Sequence, residues 1–409
     1  MNLTKKRWLI LAACCLINLC LGSLYAWSVF ASGMASYLSA LNGVELTTAD
    51  LAIVYTIANS VGPITMISGG YINDKFGPRK VIMTGGAMFG IGMILSGFAT
   101  SVGMLIVTYG LISGLGLGMA YGTCISSAVK FFPDKRGLIG GITTAVYGFS
   151  SVILPPIVTM IVSSSDATTA FKVIGAIFTV LIVVCSLFVE QCPADFAPEG
   201  WTPPQQQGGA APVNKDWKGM LASPEFYVMI ILLTSGAFTG MMIIPLTSAI
   251  AQNMVGLEPM VASLAVSVLA LFNAAGRILA GSLSDKIGRI NTLMSACILS
   301  VLGMMLLYIT GNGSTVTFFI GIAITGICFG AFMGVFPGFT ADQFGPKNNS
   351  VNYGIMFIGF ALAGYFGPTA MKNVYAADGA YQRAFIIAAV LSIIGVGLTF
   401  VYRAITKRK

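Results

Sequence analysis

Two stretches of this sequence, GYINDKFGPRK at residues 70–80 and GSLSDKIGR at residues 281–289, share the pattern GxxxDKxG followed closely by arginine. Their acidic residues, Asp74 and Asp285, lie 211 positions apart. The pattern suits a short turn between two helices, because glycines let the chain reverse and an aspartate can cap the helix that follows. The pair therefore predicts two equivalent turns in two parts of the chain.

A second pair of stretches falls at nearly the same interval. KFFPDKRG occupies residues 130–137, and DQFGPKNNS occupies residues 342–350. Two signals at one interval are hard to obtain by chance, and they indicate an internal duplication.

The composition places this duplication in a membrane. Of 409 residues, 56% are hydrophobic and 9% are charged, and the mean hydropathy is +0.86. A soluble domain carries about 25% charged residues. Apolar runs long enough to cross a hydrocarbon core of about 30 Å recur along the whole chain. The predicted spans are 8–38, 50–72, 80–99, 103–131, 137–163, 169–190, 226–252, 259–282, 291–310, 315–340, 352–373 and 382–402.

The net charge of +8 follows from the positions of the basic residues. If the N-terminus is cytoplasmic, 18 of the 22 Lys and Arg residues fall in cytoplasmic segments, as the positive-inside rule requires. The exceptions are Lys172, Lys372 and Arg383 on the external side and Arg277 within a span. We therefore predict a multi-pass protein of the cell inner membrane with both termini cytoplasmic, and no nucleic-acid partner.

One segment, residues 191–222, interrupts the apolar pattern with Pro, Gln and Gly. This composition is typical of a flexible linker, here a cytoplasmic one. It divides the chain into an N-terminal six-helix half at 1–190 and a C-terminal six-helix half at 223–409.

The two GxxxDKxG turns in a six-plus-six chain resemble the major facilitator superfamily over the whole length. GSLYAWSVF (22–30) and KFFPDKRGL (130–138) resemble, within it, the oxalate/formate antiporter and bacterial monocarboxylate (lactate) transporter family. The resemblance implies an all-α membrane protein with the major facilitator fold, 12 transmembrane helices in two pseudo-symmetric six-helix halves. It also implies secondary transport of small monocarboxylates by alternating access, in which the halves rock about a central site.

In this fold the two turns have two compatible interpretations, a turn with orienting charge and a cytoplasmic gate latch. The predicted gating residues are Asp74, Lys75, Arg79, Asp285, Lys286 and Arg289.

The membrane interior is almost free of charge, and Arg277 in the eighth span is the exception. It precedes Asp285 by eight residues, which places it about 12 Å into the hydrocarbon core. An arginine there costs at least about 2.5 kcal/mol, so it should face a partner or a watery cavity. No Asp, Glu or His is predicted at that depth, which favours a substrate carboxylate as the counter-ion. A carbonyl clamp between helices and snorkelling toward the cytoplasm are the alternatives.

Two further positions bear on the substrate. Asn273 lies one helical turn before Arg277 and is a candidate to hydrogen-bond the substrate, with helix packing as the alternative. In the eukaryotic monocarboxylate transporters that the family resembles, an aspartate occupies this place, so the family's proton-relay residue is not matched here.

Oxalate/formate antiporters carry a lysine in the eleventh span where this chain has Phe360. One cation fits one carboxylate, which favours lactate or pyruvate over oxalate.

Aromatic residues complete the predicted substrate site, although aromatics in membrane helices commonly serve packing. The candidates are Tyr25, Trp27, Tyr121, Tyr147 and Phe332, of which Tyr121 and Phe332 are favoured. Tyr121 interrupts the glycine-rich run GLGLGMAYG, where close helix approach and a cavity-facing hydroxyl can coexist.

The predicted partners are a small monocarboxylate anion, a proton and the lipid bilayer, and the protein is expected to be a monomer. Without a titrating group in the membrane, the proton would travel with the substrate acid, and exchange of two anions explains the sequence equally well. A channel would not need paired gate loops. An enzyme would need a nucleophile and base or a metal set, so no catalytic residue, metal or cofactor is predicted. A transporter-like carboxylate sensor stays open as an alternative.

Overall fold

The computed structural model describes residues 3–48, 50–194, 196–202 and 213–407. Within these ranges the chain forms seventeen α-helices and no strand, which confirms the all-α fold. The first helices are α1 (Leu3–Leu21), α2 (Trp27–Asn42), α3 (Ala52–Phe76), α4 (Pro78–Ser96), α5 (Val102–Leu105), α6 (Gly114–Phe131), α7 (Arg136–Ser164) and α8 (Ala167–Ser186). The others are α9 (Trp217–Leu221), α10 (Pro224–Ile243), α11 (Thr247–Val255), α12 (Pro259–Ile287), α13 (Arg289–Ile309), α14 (Thr315–Phe344), α15 (Asn349–Met356), α16 (Ile358–Asp378) and α17 (Gln382–Thr406).

Eleven helical stretches of the described residues are long and apolar enough to cross a membrane. They match eleven of the twelve predicted spans. The remaining prediction, 80–99, corresponds to α4, which is not among the eleven. α4 has 19 residues, and its first turn contains Pro78, Arg79 and Lys80, so a shorter uninterrupted apolar run remains. Of the predicted linker at 191–222, residues 195 and 203–212 lie outside the described ranges.

The first long helix of each unit is interrupted after a similar number of residues. α1 runs for 19 residues before a 3₁₀ segment at Gly22–Ala26, and α10 runs for 20 residues before one at Ile244–Leu246. Pro245 lies inside the second interruption and cannot donate a helical hydrogen bond. The matching interruptions are a further sign of the duplication.

The two GxxxDKxG turns share their backbone conformation. Gly77 has φ +87° between α3 and α4, and Gly288 has φ +88° between α12 and α13, a region that side-chain-bearing residues rarely adopt. The prediction that Asp74 and Asp285 cap the helices that follow is wrong. The glycines themselves precede α4 and α13 without a side-chain cap, and each aspartate still belongs to the end of the preceding helix.

The chain divides into two compact units. Unit 1 comprises Met1–Asp134, Val146–Asn214 and Gly345–Ile355, and unit 2 comprises Lys135–Ala145, Lys215–Phe344 and Met356–Lys409. The start of α7 therefore belongs to unit 2, although the rest of α7 belongs to unit 1. In the same way nearly all of α15 belongs to unit 1, although α16 belongs to unit 2. The division into halves at the linker stays a prediction.

Within each unit the helices pack in close pairs. In unit 1, α3 packs on α6, and α4 packs on both α6 and α8. In unit 2, α12 packs on α14, α10 on α16, and α13 on both α14 and α17. These pairs fix α3 and α12, the helices that end in the two repeated turns.

Candidate functional site

Arg277 lies inside unit 2 on α12, and its side chain is held by two acceptors. Its Nε donates to Asn273 Oδ1 at 3.1 Å, one turn earlier on the same helix. Its Nη1 donates to the main-chain oxygen of Thr144 on α7 at 2.5 Å. The Phe329 ring lies beside the guanidinium, with 6.0 Å from Cζ to the ring centroid. Arg277 is 2% exposed, so it does not snorkel to the surface of unit 2.

The charge of Arg277 has no protein counter-ion among the described residues. No Asp or Glu of those ranges forms an ion pair with it, as the sequence predicted. The carbonyl clamp is present as one bond, to Thr144. Within the same ranges neither Arg277 Nη2 nor Asn273 Nδ2 makes a hydrogen bond. These two donors, one turn apart on one helix, can bind an anion.

Glycines on the neighbouring helices bring α7 and α14 to the main chain at this arginine. A Cβ at Gly141 on α7 or at Gly334 on α14 would overlap the Arg277 carbonyl. A Cβ at Gly330 would overlap the Asn273 carbonyl in the same way. Because small residues allow such approach, the Thr144 carbonyl, three residues after Gly141, comes within reach of the guanidinium.

The two predicted phenylalanines of unit 2 differ in their surroundings. Phe360 stacks on Phe357 with 4.5 Å between ring centroids, and its ring lies 6.4 Å from Phe329, the ring beside Arg277. Phe332 is 1% exposed and packs against Gly236, where a Cβ would overlap its ring. Phe360 therefore lies next to the ring beside Arg277, whereas Phe332 fills a close contact between α10 and α14.

Unit 1 gathers the predicted tyrosines. Tyr147 lies between the other two, with ring centroids 5.5 Å from Tyr25 and 4.7 Å from Tyr121. Tyr121 and Tyr147 are buried, whereas Tyr25 is partly exposed.

Trp27 is placed differently from these tyrosines. Its ring stacks on Tyr109 with 4.8 Å between centroids, and the side chains of both residues are buried. Tyr109 in turn meets Phe171 edge to face at 5.6 Å. This group is a packed aromatic stack of unit 1.

The Asp74 turn in unit 1 holds the beginning of α15. Asp74 accepts hydrogen bonds from the main-chain nitrogens of Ser350 at 3.4 Å and Val351 at 3.0 Å, and it pairs with Lys130 Nζ at 2.6 Å. Next to it, Asn73 Nδ2 donates to Ser350 Oγ at 2.6 Å, and Ser126 Oγ lies 2.7 Å from the same oxygen. A carboxylate at a helix N-terminus is stabilised by the helix dipole.

The Asp285 turn in unit 2 holds the beginning of α7. Asp285 accepts from the main-chain nitrogens of Gly137 at 2.9 Å and Leu138 at 2.8 Å, and from Arg289 Nη1 at 2.6 Å. Asp342 joins Arg289 Nε at 2.8 Å to Arg136 Nη1 at 2.6 Å. Four partners in these contacts were not predicted as site residues, because they come from distant parts of the chain: Lys130, Arg136, Thr144 and Asp342.

The other predicted gating residues stand apart from these contacts. Lys75 lies over the Phe76 ring at 5.2 Å, and Arg79 and Lys286 are exposed. Among the described residues none of the three forms an ion pair. A role for these three residues in gating therefore stays a prediction.

Comparisons with known proteins agree on one family. The sequence profile of the Major Facilitator Superfamily matches residues 14–368 and 237–409. The oxalate:formate antiporter of Oxalobacter formigenes is 30% identical over 408 residues, which cover 98% of this chain and 92% of the relative. Monocarboxylate transporter 13 of Rattus norvegicus is 24% identical over 334 residues, which cover 81% and 74%.

Among solved structures, the fucose:proton symporter FucP of Escherichia coli has a TM-score of 0.72 at 12% identity and covers 98% of this chain and 99% of its own. At this identity the likeness shows the fold.

Proposed function

We propose that this chain, which belongs to the major facilitator superfamily, is a secondary transporter of small monocarboxylates of the lactate and pyruvate type. Arg277 binds the substrate carboxylate, and Asn273 hydrogen-bonds the same anion. The transporter works by alternating access, and the Asp74 and Asp285 turns stabilise one gated state through the helix starts that they hold.

The observation that carries this proposal is the buried guanidinium without a protein carboxylate. Arg277 is 2% exposed and is bound by two neutral oxygens, those of Asn273 and Thr144. A buried charge is costly unless it is paired, and an arginine within a membrane span is commonly functional. A ligand carboxylate supplies the missing charge with the geometry that guanidinium prefers.

Arg277 is the one cation that we propose for the substrate site, and a single cation favours a substrate with a single negative charge. Phe360 occupies the place where the resemblance to oxalate/formate antiporters would put a second cation, and its neighbours Phe357 and Phe329 are aromatic as well. A dianion would bring one uncompensated charge to an apolar surface. The relatives named monocarboxylate transporters fit the same substrate class.

Coupling to a proton is part of the proposal. With no carboxylate paired to Arg277 among the described residues, the substrate itself carries the proton. The anion bound to Arg277 takes up the proton when it leaves the guanidinium, because desolvation without a counter-charge raises the pKa of its carboxyl group. We further propose that the protein is a monomer in the cell inner membrane. The distribution of Lys and Arg favours a cytoplasmic position for both termini.

Exchange of two anions is the second candidate. The relative named oxalate:formate antiporter is 30% identical over 98% of this chain, so exchange within the same fold is supported by sequence similarity. Phe360 argues against oxalate as the exchanged anion, but it does not distinguish exchange of monoanions from symport.

Counterflow in proteoliposomes tests both candidates. Labelled lactate, pyruvate, formate and oxalate are offered with and without a pH gradient to the wild type, Arg277→Ala and Arg277→Lys. Arg383→Ala is the matched control, because Arg383 is a half-exposed arginine paired with Asp378. Circular dichroism and gel filtration check that each variant is folded.

We expect lactate or pyruvate uptake that an inward proton gradient accelerates and that both Arg277 variants lose. Counterflow of monoanions, together with no gradient-driven uptake into liposomes that contain no internal substrate, would establish exchange. Normal uptake in either folded Arg277 variant would remove Arg277 from the site, and lactate binding without flux would indicate a sensor.

A further inference from the structure

A groove in unit 1 runs between α2 and the last turns of α7. Its volume is about 720 Å³, which is within the range of small-molecule sites. Hydroxyl side chains line both of its walls: Ser28, Ser32 and Ser36 of α2, and Thr159 and Ser163 of α7. All of these residues belong to unit 1.

The exposed face of α2 is polar, unlike that of its neighbour α8. α2 exposes a serine at every fourth position, at Ser28, Ser32 and Ser36. α8 exposes an apolar stripe, typical of contact with lipid, that consists of Val173, Ile177, Val180 and Val184.

Several hydroxyls of the groove need a partner from the solvent. Among the described residues, the side chains of Ser28, Ser32 and Thr159 make no hydrogen bond. Hydrocarbon would leave these groups without a partner, which is costly, whereas water satisfies them. Polar side chains of membrane helices commonly face a water-filled cavity. The groove should therefore hold water.

The groove leads along α2 to two of the predicted substrate residues. Ser28 and Ser36 are eight residues apart, which is about 12 Å of helix. Tyr25 lies three residues before Ser28, and its ring contacts that of Tyr147 on α7 at 5.5 Å. The other end of the groove lies at the end of α7, on the side that the distribution of Lys and Arg predicts to be external.

The charges of the groove suit the passage of an anion rather than its retention. Of the described residues that line it, none is basic, and Asp166 is the charged one. Asp166 is exposed and accepts hydrogen bonds from Thr168 Oγ1 at 2.7 Å and the Thr169 nitrogen at 2.6 Å, at the start of α8. Solvent and the helix dipole therefore weaken the field of its charge. Without a cation on the walls, a carboxylate keeps its water and is not held.

We propose that this groove is the water-filled external entrance through which the substrate anion reaches Tyr25 and Tyr147. The inference rests on the proposed function, in which the substrate is a small carboxylate. The serines of α2 keep the entrance hydrated, and the lack of a basic lining residue lets the anion pass.

Cysteine labelling of intact cells tests whether the groove holds external water. Ser28→Cys, Ser32→Cys and Ser36→Cys are treated with sulfonatoethyl methanethiosulfonate, an anionic reagent that does not cross bilayers. The cysteine thiolate attacks the sulfenyl sulfur of the reagent, a mixed disulfide forms, and methanesulfinate leaves. The wild type, which has eight cysteines, gives the background.

Ile177→Cys is the matched control. Ile177 is 50% exposed on the apolar stripe of α8 and lies ten residues from the start of that helix, as Ser32 lies ten residues from the end of α2. We expect the three serine variants to react at least about tenfold faster than Ile177→Cys, because the reactive thiolate forms in water and not in hydrocarbon.

The charge of the label tests whether the substrate uses the groove. Ser32→Cys is labelled with the anionic reagent, with its cationic trimethylammonioethyl analogue or with neutral methyl methanethiosulfonate, and initial lactate uptake is measured. We expect the anionic label to lower uptake about tenfold through repulsion of the substrate, and the neutral label to leave it within about twofold. The cationic label is of similar size, so it should lower uptake less than the anionic one.

The outcomes separate the entrance from the proposed function. Lactate uptake by the wild type, with serine variants that react no faster than Ile177→Cys, overturns the entrance, and the function stands. Fast labelling with equal uptake for the anionic and cationic labels overturns the route in the same way. Absence of lactate uptake by the wild type removes the function and the route together. Gel filtration checks the folding of each variant, and three serine positions keep the test decisive if one variant misfolds.

Discussion

The two repeated turns hold helix starts in the same way but with different reinforcement. In unit 1, Asp74 binds the first turn of α15 and pairs with Lys130. In unit 2, Asp285 binds the first turn of α7 and pairs with Arg289. The common element is a carboxylate at a helix N-terminus, which depends on the backbone and survives divergence of the surrounding side chains.

Further differences lie around the two helix starts. Unit 1 places Ser350 in a buried hydrogen-bond network, whereas unit 2 has Gly137 at the corresponding start of α7. Farther along, unit 1 has Met66 where unit 2 has Arg277. The comparison teaches that two similar contacts have different surroundings: the one in unit 1 adjoins a buried hydrogen-bond network, and the one in unit 2 is followed along α12 by the buried cation that we propose binds substrate.

The largest effect should come from making unit 2 like unit 1 at this position. Arg277→Met removes the guanidinium, and we expect carboxylate uptake to fall to the level of empty liposomes, because loss of a buried charge pair costs about 2–5 kcal/mol. Met66→Leu should change uptake less than about twofold, since it conserves volume and polarity. Uptake of labelled lactate measures both effects. Appreciable uptake by Arg277→Met would contradict the proposal that Arg277 binds the substrate while Met66 in unit 1 does not.

A smaller effect is expected from exchanging the residues at the helix starts. Gly137→Ser places a Cβ against Arg289 and the Gly281 carbonyl, and we expect a loss of stability of about 3 kcal/mol. Ser350→Gly removes hydrogen bonds to Asn73 and Ser126 and should cost about 2 kcal/mol. Thermal unfolding in detergent ranks the two variants. Equal stability of wild type and Gly137→Ser would show that the close contact tolerates a side chain.

Neutralising each aspartate should lower the stability by different amounts, because Asp74 and Asp285 have different ion-pair partners. Asp74→Asn leaves Lys130 without its carboxylate, and the Lys130 side chain is 17% exposed, so we expect a loss of about 2 kcal/mol. Asp285→Asn leaves Arg289 paired with Asp342, so the loss should be about 1 kcal/mol. Melting temperatures of the two variants decide the order. A larger loss for Asp285→Asn would mean that Asp342 does not compensate.

The smallest difference between the two units is expected at their turn glycines. Gly77→Ala and Gly288→Ala each place a side chain at φ +87° or +88° with ψ 166° or 152°, a conformation that is essentially restricted to glycine, so each should cost about 1–3 kcal/mol. Neither added Cβ meets a clash, because its nearest neighbours lie at 3.4 Å or more. Melting temperatures that fall equally would confirm two equivalent turns, and a difference above about 1 kcal/mol would show that their surroundings differ.

Much of the fold could be predicted because membrane spans depend on composition, which is local. The span predicted at 259–282 is α12, Pro259–Ile287, and the one predicted at 315–340 is α14, Thr315–Phe344. Both helices continue beyond the apolar run, since polar residues at a helix end remain helical. The 3₁₀ segment at Gly22–Ala26 was not predicted, because it depends on packing of Gly22 against Tyr147 and Ser150, distant in sequence.

The contacts of the candidate site also differ in whether they could be predicted, depending on whether the partners are close in sequence. The contact between Asn273 and Arg277 follows from their spacing on one helix and was predictable. The Thr144 carbonyl is 133 residues away from Arg277, and a main-chain oxygen leaves no residue-type signal in a sequence. The capping prediction failed because Gly77 ends α3, so Asp74 stays in the last helical turn and its carboxylate reaches a helix start from elsewhere.

The glycines between α7 and α12 have a mechanical consequence. Gly137 and Gly281 face each other so closely that a Cβ on either would overlap the carbonyl of the other, and Gly141 meets the Arg277 carbonyl in the same way. Interlocked side chains resist sliding of one helix past another, because each side chain must pass over its neighbour. Where glycines bring two backbones together, no side chains interlock. The start of α7 should therefore slide along α12 with little steric resistance, and the few polar bonds between the two helices should set the energy barrier to this movement.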